Sequence, residues 1–191
     1  MGRFDSYSGL LTAFPYAFRQ STSRLFRSYV VVSAALGVVF AFLMTGALLV
    51  LIGNTAGARG GSLTLSRTFY VVVGLLLFLP LVAPVLFVAR RHRRDRRVAA
   101  EYDTALAAAG YLFAFSVYLG GVASMPARFE TNGEVVTRPP PEGLFAPVVE
   151  LLYAIPPAAS PLVPLVGALV VYAAHRRYGS KHGNGEPAYS G

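Results

Sequence analysis

Side chains able to carry chemistry are few in this chain, and they are scattered. Glu150 is the one carboxylate set inside an apolar run, 144–155, and a carboxylate at membrane depth must meet water, a cation or a basic partner because its charge is costly to desolvate. Two settings stay open for it. In a re-entrant segment Glu150 is a candidate for proton or cation handling, whereas in a helix lying on the external surface it faces water. The surface setting is expected, because Pro156 and Pro157 end the helix before it can cross and Tyr153 suits an interface. The three histidines do not cluster: His92 lies in an Arg run, His175 closes an apolar stretch and His182 sits near the end, which points to interfacial placement rather than metal ligation. No H-E-x-x-H, G-x-S-x-G, P-loop or G-x-G-x-x-G pattern occurs, and a lipid-modifying enzyme would lack an evident nucleophile and base. The absence of Cys removes disulfides, thiolate metal sites and cysteine nucleophiles. The expectation is a protein that is not an enzyme, without metal or cofactor.

The charges follow a different logic. With 54% hydrophobic residues, 14% charged residues and a mean hydropathy of +0.53, the chain is too apolar for an ordinary soluble domain. Its net charge of +8 is concentrated beside apolar stretches, so membrane topology explains it and nucleic-acid binding is not expected. Arg90, Arg91, Arg93, Arg94, Arg96 and Arg97 form one short loop between two such stretches; they are expected to stay cytoplasmic and to contact anionic lipid headgroups. If both termini share that side, 13 of the 17 basic residues lie inside and only Arg59, Arg67, Arg128 and Arg138 lie outside. No cleavable signal peptide is expected, since the first long apolar run starts near Tyr29 without a small-residue cleavage site. The opening Met1-Gly2-Arg3-Phe4-Asp5-Ser6 formally matches an N-myristoylation pattern, but it reads as chance in a chain whose Arg-, Ala- and Gly-rich composition is prokaryotic in character.

Four apolar stretches have the length needed to cross roughly 30 Å of hydrocarbon, about residues 29–52, 69–89, 104–124 and 158–174. In the first, Ser33, Gly37, Ala41 and Thr45 recur every four residues as a small-residue ridge, and in the third Ala107, Gly110 and Ala114 make a second; the two are expected to pair. Pro80 and Pro84 in the second free backbone carbonyls near Leu76 and Pro80, which predicts a kink with a shape role, ion coordination being the alternative. Residues 53–67 are glycine-rich and read as an external loop. Asn132-Gly133 between Arg128-Phe129-Glu130-Thr131 and Glu134-Val135-Val136-Thr137 predicts a small external β-hairpin, which needs support from helix ends to persist. Before the first span, Phe4, Tyr7, Leu10, Leu11, Phe14 and Phe18 recur at helical spacing, interrupted by Pro15, with Ser21 or Ser23 available as the next cap. That stripe either lies in the membrane interface or packs on the ends of the other helices. The fold class is therefore an all-α membrane protein with four transmembrane helices, an N-terminal amphipathic interfacial helix over about 4–20 and a small hairpin. Residues 1–178 form one transmembrane domain and 179–191 a disordered tail.

The stretch Asp5-Ser6-Tyr7-Ser8-Gly9-Leu10-Leu11 through Phe14-Pro15-Tyr16-Ala17-Phe18-Arg19, followed by Ser23-Arg24-Leu25-Phe26-Arg27-Ser28-Tyr29, is similar to the start of uncharacterised small membrane proteins of halophilic archaea. The resemblance implies a multi-pass fold and brings no catalytic motif. Proteins of halophiles are typically acidic and this chain has a pI near 10.1, a departure open to a chain made almost wholly of spans with short inside loops. The expected function is that of a structural or partner-binding subunit in the plasma membrane, both termini cytoplasmic, in contact with the bilayer and with a membrane protein partner or further copies of itself. The alternative is a small transporter or channel component, which requires polar groups from several helices to converge at mid-membrane; Ser33, Thr45 and Ser116 are the residues available.

Overall fold

The computed structural model describes residues 9–56, 61–94, 100–131 and 133–179. Along them run α1 (Leu10–Gln20), α2 (Arg24–Thr55), α3 (Gly61–Arg94), α4 (Ala100–Ala123), β1 (Arg128–Thr131), β2 (Glu134–Thr137), α5 (Ala146–Tyr153), a 3-10 turn at Pro157–Ala159 and α6 (Leu162–Gly179). Four stretches, Arg24–Thr55, Leu65–Arg94, Ala100–Ala123 and Pro157–Gly179, are helical, long and apolar enough to cross a membrane. The shortest, at 23 residues, reaches about 35 Å at a rise of about 1.5 Å per residue, which exceeds the hydrocarbon thickness.

Local chemistry sets the helix boundaries. Ser23 caps α2, its hydroxyl accepting the Phe26 N–H at 3.3 Å, and so satisfies one of the donors left over at a helix start. At the other end of α2 the guanidinium of Arg67 donates to the Thr55 hydroxyl at 2.6 Å and to its carbonyl at 3.1 Å. This contact satisfies the end of α2, and helix continues on both sides of a connection that reads as a loop from 53 to 67: α2 reaches Thr55 and α3 starts at Gly61. Gly57 and Gly60 in that connection lie outside the described residues. Pro147 sits in the first turn of α5, where its missing N–H costs nothing. Both α1 and α3 pass through their prolines as continuous helices. Between Pro80 and Pro84, the carbonyl of Leu81 accepts the Tyr29 hydroxyl at 2.5 Å.

The chain divides into two compact units, one comprising the residues up to Tyr111 and from Val171 on, the other Leu112–Val170. The first unit has a core in which α1 contributes Ala13, Tyr16 and Ala17, α2 contributes Phe26, Tyr29 and Val30, α3 contributes Val85, Val88 and Ala89, and α4 contributes Tyr102, Leu106 and Ala107. Helix α1 packs against α3 and α2, with Ala13, Tyr16 and Ala17 buried, Phe14 partly buried and Phe18 exposed; Phe4 and Tyr7 lie outside the described residues. Tyr29 and Tyr111 meet edge to face at 5.1 Å and 78°, and Gly110 leaves the space that the Tyr29 ring fills.

In the second unit, glycines again give close approach: a Cβ on Gly120 would lie 2.9 Å from Cδ of Pro164, and one on Gly167 would collide with the Ser116 hydroxyl. The two strands pair antiparallel in the register Arg128 with Thr137, Phe129 with Val136, Glu130 with Val135 and Thr131 with Glu134. Gly133 in the turn has a φ of +83°, the left-handed conformation that the Asn-Gly signal requires; Asn132 itself lies outside the described residues. The hairpin is tied at its base by Arg138. Its N–H donates to the Ala127 carbonyl at 3.0 Å, its Nη1 donates to the Met125 carbonyl at 2.8 Å, and its guanidinium lies 3.6 Å above the Tyr153 ring of α5. Residues beyond Gly179, including the expected tail and His182, lie outside the described residues.

Candidate functional site

Arg90, Arg91, Arg93 and Arg94 occupy the end of α3, and Arg176 and Arg177 the end of α6, where cations offset the unpaired carbonyls of a helix C-terminus. Arg91 turns inward from this set. Its Nη1 donates to the Gly179 carbonyl at 3.0 Å, and its guanidinium stacks 4.5 Å over the ring of the buried Tyr102. The Tyr102 hydroxyl lies 2.7 Å from Nδ1 of His175, whose ring stacks on Phe87 with centroids 4.0 Å apart and planes 16° from parallel. Around this aromatic floor opens a cleft of about 350 Å³, walled by Arg90, Arg91 and Arg94 of α3 and by Arg176 of α6. Arg90, Arg93 and Arg94 are exposed, Arg91 is half-buried, and Arg96 and Arg97 lie outside the described residues.

Next to Tyr102 in sequence stands a second polar assembly. Asp103 is 1% exposed, in the first turn of α4, where the helix N-terminus favours a negative charge. It accepts the Ser21 hydroxyl at 2.5 Å and lies 3.0 Å from Nε2 of His92, whose side chain is 8% exposed. The Ser21 hydroxyl in turn accepts the Ser23 N–H at 3.2 Å, and the Ser23 and Thr104 hydroxyls are 2.8 Å apart. The three residue types are those of a nucleophilic triad, but the order is different. Here the carboxylate sits between serine and histidine, so the serine proton is directed to Asp103 and the imidazole does not touch the hydroxyl it would have to activate. The chemistry supported is structural: one buried carboxylate fastens the turn between α1 and α2, the end of α3 and the start of α4. In the sequence His92 lies within the Arg run and Asp103 a few residues after it, and neither position reveals that they meet each other away from solvent.

One family, described as a domain of unknown function and designated DUF8056, matches residues 1–179. The chain belongs to this family. No curated protein and no solved structure matches it. The DUF8056 match thus covers every described helix, including both basic helix ends and the Asp103 assembly.

Ser33 and Gly37 are buried, Gly37 facing Phe78 of α3 with room for a Cβ at 3.5 Å, whereas Ala41 and Thr45 are exposed and line an apolar groove of about 280 Å³ with Met44, Gly74 and Phe78. Ala107 lies in the core of the first unit and Gly110 against Tyr29, so the small-residue face of α4 meets α2 at its aromatic start, and Gly37 meets α3 instead. Ala114 is half-buried. Glu150 is exposed in α5, and its carbonyl accepts the Ala154 N–H at 3.1 Å as the helix closes.

Proposed function

We propose that this DUF8056 protein is a multi-pass plasma-membrane protein of prokaryotic, halophilic archaeal type with both termini cytoplasmic, acting as a structural or partner-binding subunit rather than an enzyme. Its partners in this reading are the bilayer, anionic headgroups at the Arg-rich ends, and a second membrane protein or further copies of itself. The excess of basic residues on one side of the spans supports the orientation. Helix α1, with Arg19 and Phe18 exposed, then lies at the headgroup level, and α5 lies on the external surface with Glu150 in water.

One observation carries the choice of a structural role over a transporter. The three hydroxyls named above as pathway candidates are turned back onto their own helices: Ser33 donates to the Val30 carbonyl at 3.2 Å, Thr45 to Ala41 at 2.8 Å and Ser116 to Phe113 at 2.7 Å. A pathway for ions or polar solutes needs such atoms directed away from their helix and toward one another. The test is purification in mild detergent followed by mass determination and by flux measurement in proteoliposomes. A stoichiometric complex or a defined oligomer, with no proton or cation flux above that of empty liposomes, is expected. A flux abolished by Glu150→Gln would overturn the reading and promote the transporter.

A further inference from the structure

We propose that the cleft between the basic ends of α3 and α6 is a binding site for a phosphate group, carried either by a lipid headgroup or by a small soluble phosphate ester. The inference rests on the headgroup-facing placement proposed above and goes beyond it, replacing a diffuse basic surface with one pocket of defined residues.

Charge is the first argument. Arg90 and Arg94 are one turn apart on α3 and wall the same cleft as Arg91 and Arg176. Like charges at that spacing repel, which offsets the gain that each arginine makes at a helix C-terminus. Among the described residues no carboxylate lines the cleft, and the buried carboxylate nearest in sequence, Asp103, is already engaged by Ser21 and His92. An anion inside the cleft relieves this repulsion. Arginine is also the side chain whose planar fork matches phosphate oxygens in pairs.

Rigidity is the second argument. Arg91 is held by the Gly179 carbonyl and by the Tyr102 ring, and His175 is held by Phe87 on its face and by the Tyr102 hydroxyl at Nδ1. When the Tyr102 hydroxyl donates to Nδ1, the ring proton resides on Nε2, which leaves His175 one further donor for an acceptor oxygen. The cleft thus combines two exposed arginines able to close on a ligand with a floor that does not need to reorganise, which lowers the entropic cost of binding. At about 350 Å³ it is near the lower end of small-ligand pockets, commonly about 300–1,000 Å³, a size suited to a phosphate with a short polyol such as glycerol. Phe87 offers the carbon skeleton of such a group an apolar wall.

The full-length protein in neutral detergent should be titrated by calorimetry with dioctanoyl phosphatidic acid and, separately, with glycerol 3-phosphate. Saturable binding at one site per chain is expected, and the double variant Arg90→Gln/Arg94→Gln should weaken it roughly tenfold or more, as loss of charge-assisted hydrogen bonds implies. Both arginines are exposed, so the variant should keep the wild-type melting temperature. His175→Gln should weaken binding as well. The control Arg24→Gln/Arg128→Gln removes the same charge from other exposed positions and should leave affinity unchanged. Binding of the lipid alone identifies a headgroup as the source, and comparable binding of glycerol 3-phosphate identifies a soluble ester. Absence of saturable binding to either ligand, or equal weakening by the two double variants, overturns the proposal. Failure of the membrane orientation would be seen separately, by cysteine accessibility in cells, and would not alter a titration performed in detergent.

Discussion

Gly110 offers the sharpest quantitative test of the packing. A Cβ there would collide with Cζ, the hydroxyl oxygen and Cε2 of Tyr29, and that ring has nowhere to go: it is 0% exposed, holds the Leu81 carbonyl at 2.5 Å and is flanked edge-on by Tyr111. Gly110→Ala must therefore shift the ring or separate α4 from α2. Overpacking of this kind costs about 1–3 kcal/mol, and displacing the hydroxyl from its buried carbonyl adds about 1 kcal/mol. Against this stands about 1 kcal/mol gained from replacing glycine by alanine in a helix. The net expectation is a loss of about 1–3 kcal/mol. Gly121→Ala, in the same helix with nothing near its Cβ, collects the helical gain without the clash and should be neutral or stabilising. The measurement is unfolding of the purified protein in mixed micelles as the fraction of denaturing detergent rises. Tyr29→Leu, which removes the atoms responsible for the clash, should make the further change Gly110→Ala cost nothing, a coupling that only direct contact produces. If Gly110→Ala behaves like Gly121→Ala, or if its cost persists unchanged in the Tyr29→Leu background, the close approach of α2 and α4 is wrong.

Two further outcomes are expected. Asp103→Asn keeps the shape but removes the charge shared by Ser21 and His92 and adds a buried amide in place of an acceptor, so it should destabilise by about 1–3 kcal/mol in the same unfolding assay, whereas Glu101→Gln, at an exposed site in the same turn, should have no effect. In this Cys-free chain, cysteine introduced at Gly60 or Glu134 should react with a membrane-impermeant thiol reagent in intact cells and cysteine at Ser180 should not; labelling at Ser180 would refute the proposed orientation.

What can be read from the sequence divides along a physical line. The four long helices and the hairpin are legible because their determinants are local: continuous apolar runs of spanning length, Ser23 as a cap, and an Asn-Gly turn that needs a left-handed glycine between β-forming segments. The end of α2 past its apolar segment is less legible, because there Arg67 reaches back to Thr55, a contact that periodicity does not encode. The polar interior of the basic end is hidden for the same reason in stronger form. Asp103 lies 82 residues from Ser21, and Tyr102 lies 73 residues from His175, so their meeting is fixed only when the helices have packed. Each of these residues sits at the junction of an apolar run and a charged segment, where a position at the surface and a position in the core look alike by composition. Burial of Asp103 decides between them. A carboxylate that is 1% exposed and engaged by a hydroxyl and an imidazole shows that this end is a constructed polar layer, and the cleft beside it draws its rigidity from the same helix start, through Tyr102.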